Sequence, residues 1–281
     1  MQTGLLPLPR PLMTGEMLDA AFRLFRASLL RCLPYSGLTI LLMQAPTLYA
    51  TFVGEAIPLP YGVWREPPSL HAAHGLTDRA LVYVAALLLG VLLIGVLTLR
   101  MHEVSRGVRP RFRAEIATAL RRWPNAIVVT TIALIFPLLL AVAATLMNTL
   151  LPGEAMAVLG TPLLWPTAML APALPAFWCD RLGPFAAIAR SVRIARRGTW
   201  RLVGAIFTTV CIVAVFYVFT AICAALLSPM LGRADLVLIS IVTSLVWIVF
   251  GAIGVPFVLA VLIVSYEDLK LRDAERRGVR A

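Results

Sequence analysis

Six long runs of uncharged residues dominate this chain and constrain its fold more than any other feature. No Asp, Glu, Lys, Arg or His interrupts them, and they occupy residues 32–54, 80–99, 123–153, 155–179, 202–232 and 236–266. Each run can supply the ~20 apolar residues that cross the hydrocarbon core of a bilayer. The sequence therefore predicts an all-α integral membrane protein with six transmembrane helices. We expect one polytopic membrane domain over residues 1–281, with spans roughly at 33–53, 80–100, 125–151, 156–178, 202–228 and 237–266.

The basic residues lie almost entirely on one side of this topology. Of the 25 Lys and Arg residues, all but Arg65, Arg79 and Arg233 lie before the first span, after the last, or in the loops around 100–122 and 180–201. Basic residues in short flanking loops stay on the cytoplasmic side of a membrane. The sequence therefore predicts that both termini face the cytoplasm.

The formal net charge of +11 limits the classes of partner. Nucleic acid is not expected, because the arginines cluster beside span ends and the chain offers no aromatic-rich soluble sheet to read bases. Anionic lipid head groups are the better match, since each Arg near such a surface gains about 1 kcal/mol. Membrane lipids, chiefly anionic ones, are the predicted partners, and a membrane-protein partner is also compatible with the charge.

Basic segments of helical period precede spans 1, 3 and 5, which predicts a repeated unit of interfacial helix, outward span, loop and inward span. The first segment has an apolar stripe at Leu18, Phe22, Phe25 and Leu29. Its opposite face carries Glu16, Asp19, Arg23 and Arg26. We expect Thr14 to be the N-cap and Asp19 to pair with Arg23 one turn later.

The other two segments have the same pattern. In the second, the apolar stripe comprises Phe112, Ile116, Ala119, Leu120 and Trp123, with Arg113, Glu115, Arg121 and Arg122 placed elsewhere on the surface and Pro124 marking a break before the span. In the third, the stripe comprises Phe185, Ile188, Val192, Ala195 and Thr199. Basic amphipathic helices of this kind lie in the head-group plane of a membrane, so residues 112–122 and 185–199 are predicted to do so.

The polar face of the third segment is purely basic and is the predicted contact site. Arg190, Arg193 and Arg197 recur at i, i+3 and i+7, which places three guanidinium groups on one helix face. Arg181, Arg196 and Arg201 would suffice as topological signals in the same loop. We therefore predict that the first three contact anionic lipid or a partner protein, whereas the simpler alternative is that they are solvated flanking charges.

The fourth run contains four prolines within one crossing: Pro162, Pro166, Pro172 and Pro175. So many missing amide donors interrupt the hydrogen-bond ladder of a helix, which predicts a broken or strongly kinked span. Broken helices at membrane depth are tolerated where they are buried in protein or line a cavity. Kinked packing and a transport site are therefore both open for this segment.

No catalytic, cofactor-binding or metal site is expected. The chain has no HExxH, GxSxG or phosphate-binding Gly-rich loop. Ionisable residues within spans mark proton and ion pathways, and the six runs have none, which disfavours a proton-coupled pump.

Three segments resemble a known family: residues 15–26 (GEMLDAAFRLFR), residues 183–193 (GPFAAIARSVR) with Trp200, and residues 266–272 (YEDLKLR). Together they resemble the bacterial integral membrane family named after the membrane domain of glycerophosphodiester phosphodiesterases. An acidic residue often precedes the Gly-Pro segment in that family, and Asp180 is the nearest match here.

The resemblance implies a multi-helix protein of the bacterial cytoplasmic (inner) membrane. It does not imply phosphodiesterase activity, because the soluble barrel that carries that chemistry has no counterpart in this chain. The motif positions that the resemblance implies are Glu16, Asp19, Arg190 and Arg193, as pairs between neighbouring cytoplasmic helices. Taken together, the sequence predicts a non-enzymatic inner-membrane protein that acts through a cytoplasmic basic surface on anionic lipid or a partner protein. The alternative is a small transporter or lipid-translocating protein that uses the Pro-broken fourth span.

Overall fold

A computed structural model describes residues 6, 8, 10–52, 56–59, 62–65, 72–108, 111–150, 165–196, 198–227 and 233–278. The protein is predominantly helical. Its elements are α1 (Thr14–Phe52), β1 (Ala56–Leu59), β2 (Gly62–Arg65), α2 (Ala72–Ser105), α3 (Phe112–Leu150), α4 (Ala173–Cys179), α5 (Pro184–Ala195), α6 (Thr199–Leu227) and α7 (Arg233–Arg276). The antiparallel β1–β2 hairpin lies in the predicted loop between spans 1 and 2.

Two of these helices are long and apolar enough to cross a membrane. They are the segments Leu81–Ser105 of α2 and Ser240–Arg276 of α7. The bent pair Pro184–Ala195 and Thr199–Val215 raises the number to three if it forms one span. Helices also cover the predicted spans at 33–53 and 125–151 almost completely.

The described chain forms two compact units. Unit 1 comprises Met1–Ser28, Gly95–Thr209 and Phe257–Ala281. Unit 2 comprises Leu29–Ile94 and Val210–Pro256. Most charged residues of the chain, and all the residues of the site described below, belong to unit 1.

Helix α1 begins one residue earlier than the prediction of Thr14 as the N-cap requires. Thr14 is the first helical residue, and the carbonyl of Met13 accepts the first helical hydrogen bond from Met17. The Glu16 carboxylate accepts a 2.8 Å hydrogen bond from the Met13 amide. A Glu at the third helical position satisfies the amide of the N-cap residue in this way. Met13 is therefore the N-cap, and Glu16 supplies the capping side chain.

Helix α3 shows that the predicted break at Pro124 is wrong, because residues 112–122 are continuous with the apolar helix that follows. A proline removes one backbone hydrogen bond at a cost of about 3 kcal/mol or more, which neighbouring contacts can offset. Ala119, Ala126 and Val129 are all buried on either side of Pro124. Packing along one face thus holds the helix through the proline.

The fourth predicted span is interrupted in its described part. Residues 165–170 are helical, a turn follows at Ala171 and Pro172, and α4 then begins. This break falls at one of the four prolines, as their spacing predicts. Pro166 and Pro175 lie within the helical segments on either side, and Pro162 lies outside the described residues.

The connection from α4 to α5 is a tight, non-helical turn. Arg181 has φ 54°, a left-handed conformation that non-glycine residues adopt at a cost of about 1 kcal/mol or more. Gly183 is extended, and Pro184 is at the start of α5, where its fixed φ suits the first helical turn. Helices α3, α4 and α5 pack against one another around this turn.

Helix α5 ends earlier than predicted, at Ala195, and α6 begins at Thr199 after a bend of 103°. Gly198 lies at the bend, where its amide donates to the Ala195 carbonyl. Glycine is a poor former of helix interiors, which favours a break at this position. Thr199, predicted on an apolar stripe, is buried and its hydroxyl also donates to Ala195.

In unit 2, α1 and α7 approach each other through small and hydroxylated residues. The Ser36 hydroxyl donates a 2.6 Å hydrogen bond to the carbonyl of Ala252. A Cβ at Gly251 would overlap the side chain of Ile40, so only glycine permits this approach. Small residues and hydroxyl hydrogen bonds are the usual means of close helix contact in membranes.

Candidate functional site

The densest polar cluster of unit 1 is centred on Asp180, the residue that ends α4. Its carboxylate accepts a 2.7 Å hydrogen bond from the Tyr266 hydroxyl and a 3.0 Å hydrogen bond from Lys270 Nζ. Arg190 Nη2 of α5 lies 3.2 Å from the same carboxylate. Three donors from two helices therefore converge on one acidic side chain, which holds the α4–α5 turn against α7.

The electrostatics of Asp180 follow from this crowding. Burial alone would raise the pKa of Asp180, but the hydrogen bonds from Tyr266 and Lys270 and the positive charge of Arg190 outweigh it, so the pKa lies below its ordinary value. The carboxylate is therefore ionised at neutral pH and fully engaged by donors. This arrangement suits a structural junction better than a catalytic acid or base.

Arg122 of α3 makes a second junction on the same turn. Its guanidinium donates a 3.0 Å hydrogen bond to the carbonyl of Phe177 and another to the carbonyl of Leu182. It also stacks 4.3 Å above the Phe177 ring. One planar fork thus satisfies carbonyls before and after the turn, a geometry that arginine supports and lysine does not. Arg122 lies off the apolar stripe, as predicted, but it is part-buried by these contacts.

The segment that precedes α1 is fastened to the end of α7. The amide of Leu12 donates a 2.7 Å hydrogen bond to Asp268 Oδ1, and its carbonyl accepts a 2.7 Å hydrogen bond from Arg272 Nη2. Arg272 Nε also donates to Asp268 at 2.8 Å. Both backbone groups of one residue are thereby satisfied by an ion pair on another element.

The C-terminal part of α7 contacts residues at or beside the other two resembling segments. Asp268 and Arg272 contact Leu12, and the neighbouring Ser265 contacts Met17. Tyr266 and Lys270 bind Asp180, which also pairs with Arg190.

A buried ion pair lies between α2 and α3. Arg100 Nε donates a 3.0 Å hydrogen bond to Glu115 Oε2, and the Glu115 side chain has no exposed surface. The prediction that Glu115 lies on the surface is wrong, because the helix turns this residue towards α2. Burial raises the pKa of the Glu115 carboxyl, the charge of Arg100 opposes the rise, and the neighbouring Glu103 adds to it.

The three arginines of the predicted contact site have different surroundings. Arg190 is half-buried and paired with Asp180. Arg193 is exposed, and among the described residues no ion pair engages it. Arg197 lies outside the described residues. The structure therefore separates Arg190, which has an intramolecular partner, from Arg193, which is available to an external one.

The acidic motif positions pair locally. Glu16 accepts a 2.6 Å hydrogen bond from Arg10, and Asp19 lies 3.3 Å from Arg23 in the i,i+4 pair that the sequence predicts. Neither pair joins neighbouring helices, which differs from what the resemblance implies. The backbone hydrogen bond from Met13 lowers the pKa of Glu16; burial opposes this, and the charge of Arg10 reinforces it.

Exposed apolar side chains accompany the exposed basic ones on α3, α5 and the start of α6. Phe185 is 72% exposed and Trp200 75% exposed, while Phe112 and Leu120 are more than half exposed. The exposed arginines of the same elements are Arg113, Arg121 and Arg193, and Arg196, directly after α5, is also exposed.

The sequence does not predict the partners of Arg122, Glu115 and Asp180. It contains a usable signal for Arg122: carbonyls at the end of a Pro-rich broken helix lack helical partners and need a donor from elsewhere. The partner of Glu115 has no comparable local signal.

No family model, curated protein or solved structure matches this chain. The class of protein is therefore defined by its own structure: a predominantly helical protein in which two to three helices of the described residues are long and apolar enough to cross a membrane.

Proposed function

We propose that this protein is a six-span protein of the bacterial cytoplasmic membrane, with both termini in the cytoplasm, that acts without catalysis through a basic cytoplasmic surface. Its ligand at that surface is anionic lipid. The resemblance to the membrane family named above supports the setting, and the distribution of the 25 basic residues supports the orientation.

The observation that carries this proposal is the surface at the α5–α6 bend. Arg193 is exposed, and Phe185 and Trp200 expose about three quarters of their side-chain surface nearby in the chain. Exposed aromatic rings are costly in water but suit the boundary between head groups and acyl chains, and guanidinium groups suit the phosphates. The combination therefore supports a surface that lies on a membrane.

The packing of α5 also supports a surface that lies on a membrane. Its buried side is formed by the small residues Ala187, Ser191 and Ala195 with Ile194. The Ser191 hydroxyl donates a 2.6 Å hydrogen bond to the Met169 carbonyl, which fixes that side against the protein. The large apolar residue Phe185 is left outside, where water alone would not stabilise it.

The transport alternative receives less support. Side chains around the break in the fourth predicted span are buried, including those of Ala173, Pro175 and Phe177. Close burial of this kind is expected of a packed kink, whereas a transport path would place such residues beside a water-filled cavity.

The decisive experiment separates the external arginines from the structural one. Arg193→Gln combined with Arg197→Gln removes two charges, and we expect it to weaken retention of anionic lipid by up to about 2 kcal/mol. Purified protein in mild detergent is mixed with phosphatidylglycerol and phosphatidylcholine of matched chains, and the bound lipid is counted by native mass spectrometry.

The matched control removes the same charge from the tail by Arg276→Gln with Arg280→Gln and should retain lipid as the wild type does. Arg190→Gln should instead reduce thermal stability, because it disrupts the Asp180 cluster. If the Arg193→Gln, Arg197→Gln variant and the wild type retain equal amounts of phosphatidylglycerol, the proposal is wrong. Loss of a co-purifying protein without loss of lipid would also contradict it and would identify a protein ligand instead.

A further inference from the structure

A cavity of about 480 Å³ lies in unit 1 beside the first turns of α1. Its floor is apolar and is formed by Leu6, Leu8, Leu12, Leu24 and Val264. Three of these, Leu6, Leu8 and Leu24, are buried by the surrounding protein. The cavity therefore offers an apolar surface of the size that the glycerol and first acyl carbons of a lipid would cover.

The rim of the same cavity is fully charged. Arg10 and Glu16 form one ion pair at 2.6 Å, and Arg23 and Asp19 form another at 3.3 Å. Arg10, Arg23 and Asp19 are each more than 60% exposed at the side chain. Exposed pairs of this kind contribute little to stability, so a ligand can separate them at low cost.

The equal numbers of positive and negative groups on the rim determine which ligand charge fits the cavity. Two guanidinium groups and two carboxylates leave no net charge, so an anion meets repulsion from the acids and a cation meets repulsion from the arginines. A ligand that carries both charges a few ångströms apart can satisfy both sets at once. Phosphate and ammonium in one head group have this property.

The hydrogen-bonding capacity of the carboxylates indicates which kind of ammonium group the ligand carries. Asp19 makes only a long contact with Arg23, so its oxygens can accept additional hydrogen bonds. A primary ammonium donates three hydrogen bonds, whereas a trimethylated one donates none. The arginines would hold the phosphate through charge-assisted hydrogen bonds.

We propose that this cavity binds the head group of a zwitterionic phospholipid with a primary ammonium, with phosphate at Arg10 and Arg23 and ammonium at Asp19 and Glu16. The apolar floor takes the glycerol backbone and the start of the acyl chains. The site shares no residue with the α5 surface, so it does not depend on the anionic-lipid contact proposed above.

The test uses the full chain in mild detergent with phosphatidylethanolamine, phosphatidylcholine and phosphatidylglycerol of matched acyl chains. Native mass spectrometry should detect preferential retention of one phosphatidylethanolamine. Asp19→Asn with Arg23→Gln should weaken that retention about tenfold, the loss expected for a hydrogen bond between charged groups. Arg26→Gln, on the same helix but outside the cavity lining, should leave it unchanged.

A second variant tests the floor independently of the charges. Ala20 lines the cavity, and Ala20→Phe should occlude it and abolish retention. Glycerophosphoethanolamine, which has the head group without acyl chains, should fail to displace the lipid at equal concentration.

Equal retention of phosphatidylethanolamine and phosphatidylcholine, or unchanged retention in the rim variant, would overturn the proposal. The variant Arg193→Gln with Arg197→Gln should reduce retention of phosphatidylglycerol alone, so failure of one proposal is distinguishable from failure of the other.

Discussion

The hydroxyl of Tyr266 donates a 2.7 Å hydrogen bond to the carboxylate of Asp180, and this bond joins α7 to the turn between α4 and α5. Tyr266 is completely buried, so its hydroxyl has no access to bulk water. A buried donor of this kind is costly if it loses its acceptor. The bond therefore couples the position of the α4–α5 turn to that of α7.

Tyr266→Phe should destabilise the protein by about 1.5 kcal/mol, because it removes a hydrogen bond to a charged acceptor while keeping the ring in place. The free energy of unfolding from titration with sodium dodecyl sulfate measures the effect. Tyr83→Phe is the matched control, since Tyr83 is 57% exposed and its hydroxyl substitution should change stability by less than about 0.5 kcal/mol. Equal effects of the two variants would contradict the role of the Asp180 bond.

The Asp180 cluster also predicts a pH dependence. The folded pKa of Asp180 lies below its ordinary value of 3.8, so its stabilising contribution is complete above that value and is lost as the pH falls through the folded pKa. Asp180→Asn should lower the free energy of unfolding by about 2 kcal/mol at neutral pH. It should also make stability depend less on pH in the acid range. Thermal unfolding measured from about pH 6 down to about pH 3 tests this. Asp19→Asn, at an exposed carboxyl, should keep the wild-type slope.

Arg122→Lys should destabilise the protein by about 1 to 3 kcal/mol, although it preserves the charge. An ammonium cannot bridge the carbonyls of Phe177 and Leu182 and stack on the Phe177 ring at the same time. Arg121→Lys, at the exposed neighbouring position, is the control and should be nearly neutral. Midpoints of thermal unfolding that coincide for the two variants would show that the guanidinium geometry is unimportant.

Gly95→Ala should cost about 1 to 3 kcal/mol, the usual effect of forcing extra atoms into a packed contact. A Cβ at Gly95 would overlap the indole of Trp178, which is itself buried. Gly204→Ala is the control: nothing lies within 4 Å of a Cβ there, and alanine favours the helix by up to about 1 kcal/mol. The two substitutions should therefore change the unfolding free energy in opposite directions.

The topology is testable with reporter fusions. Alkaline phosphatase fused after Arg272 should be inactive, because that point is predicted to be cytoplasmic, whereas a fusion near Pro67 should be active. A green fluorescent protein fused at each point should give the reverse pattern. Active phosphatase after Arg272 would show that the orientation is the reverse of the predicted one.

Local features of this protein were predictable from sequence. Most of the described residues of the apolar runs lie in helices, the Asp19–Arg23 pair forms at i,i+4, and the helix around Pro172 is interrupted. Each of these depends on residues within about one or two helical turns of one another, the range over which periodicity and proline chemistry act.

The features that sequence did not predict depend on how helices pack. Glu115 belongs to a charged segment by sequence but turns towards Arg100 on α2. Pro124 predicts a break because proline lacks an amide donor, yet α3 is continuous through it and its neighbours Ala119, Ala126 and Val129 are buried. The Asp180 partners were recognisable as residues of the resembling segments, but their convergence depends on the meeting of α4, α5 and α7.

The fastening of Leu12 to Asp268 and Arg272 has a consequence for biogenesis. These partners are separated by 256 residues in the chain, so at about 5 to 20 residues per second the ribosome completes Asp268 roughly 10 to 50 s after Leu12. During that interval both polar backbone groups of Leu12 lack their native partners. The hydrogen bonds of Leu12 therefore form only after α7 has been synthesised. In a chain whose synthesis stalls earlier, the segment before α1 lacks these bonds and is accessible to cellular proteases.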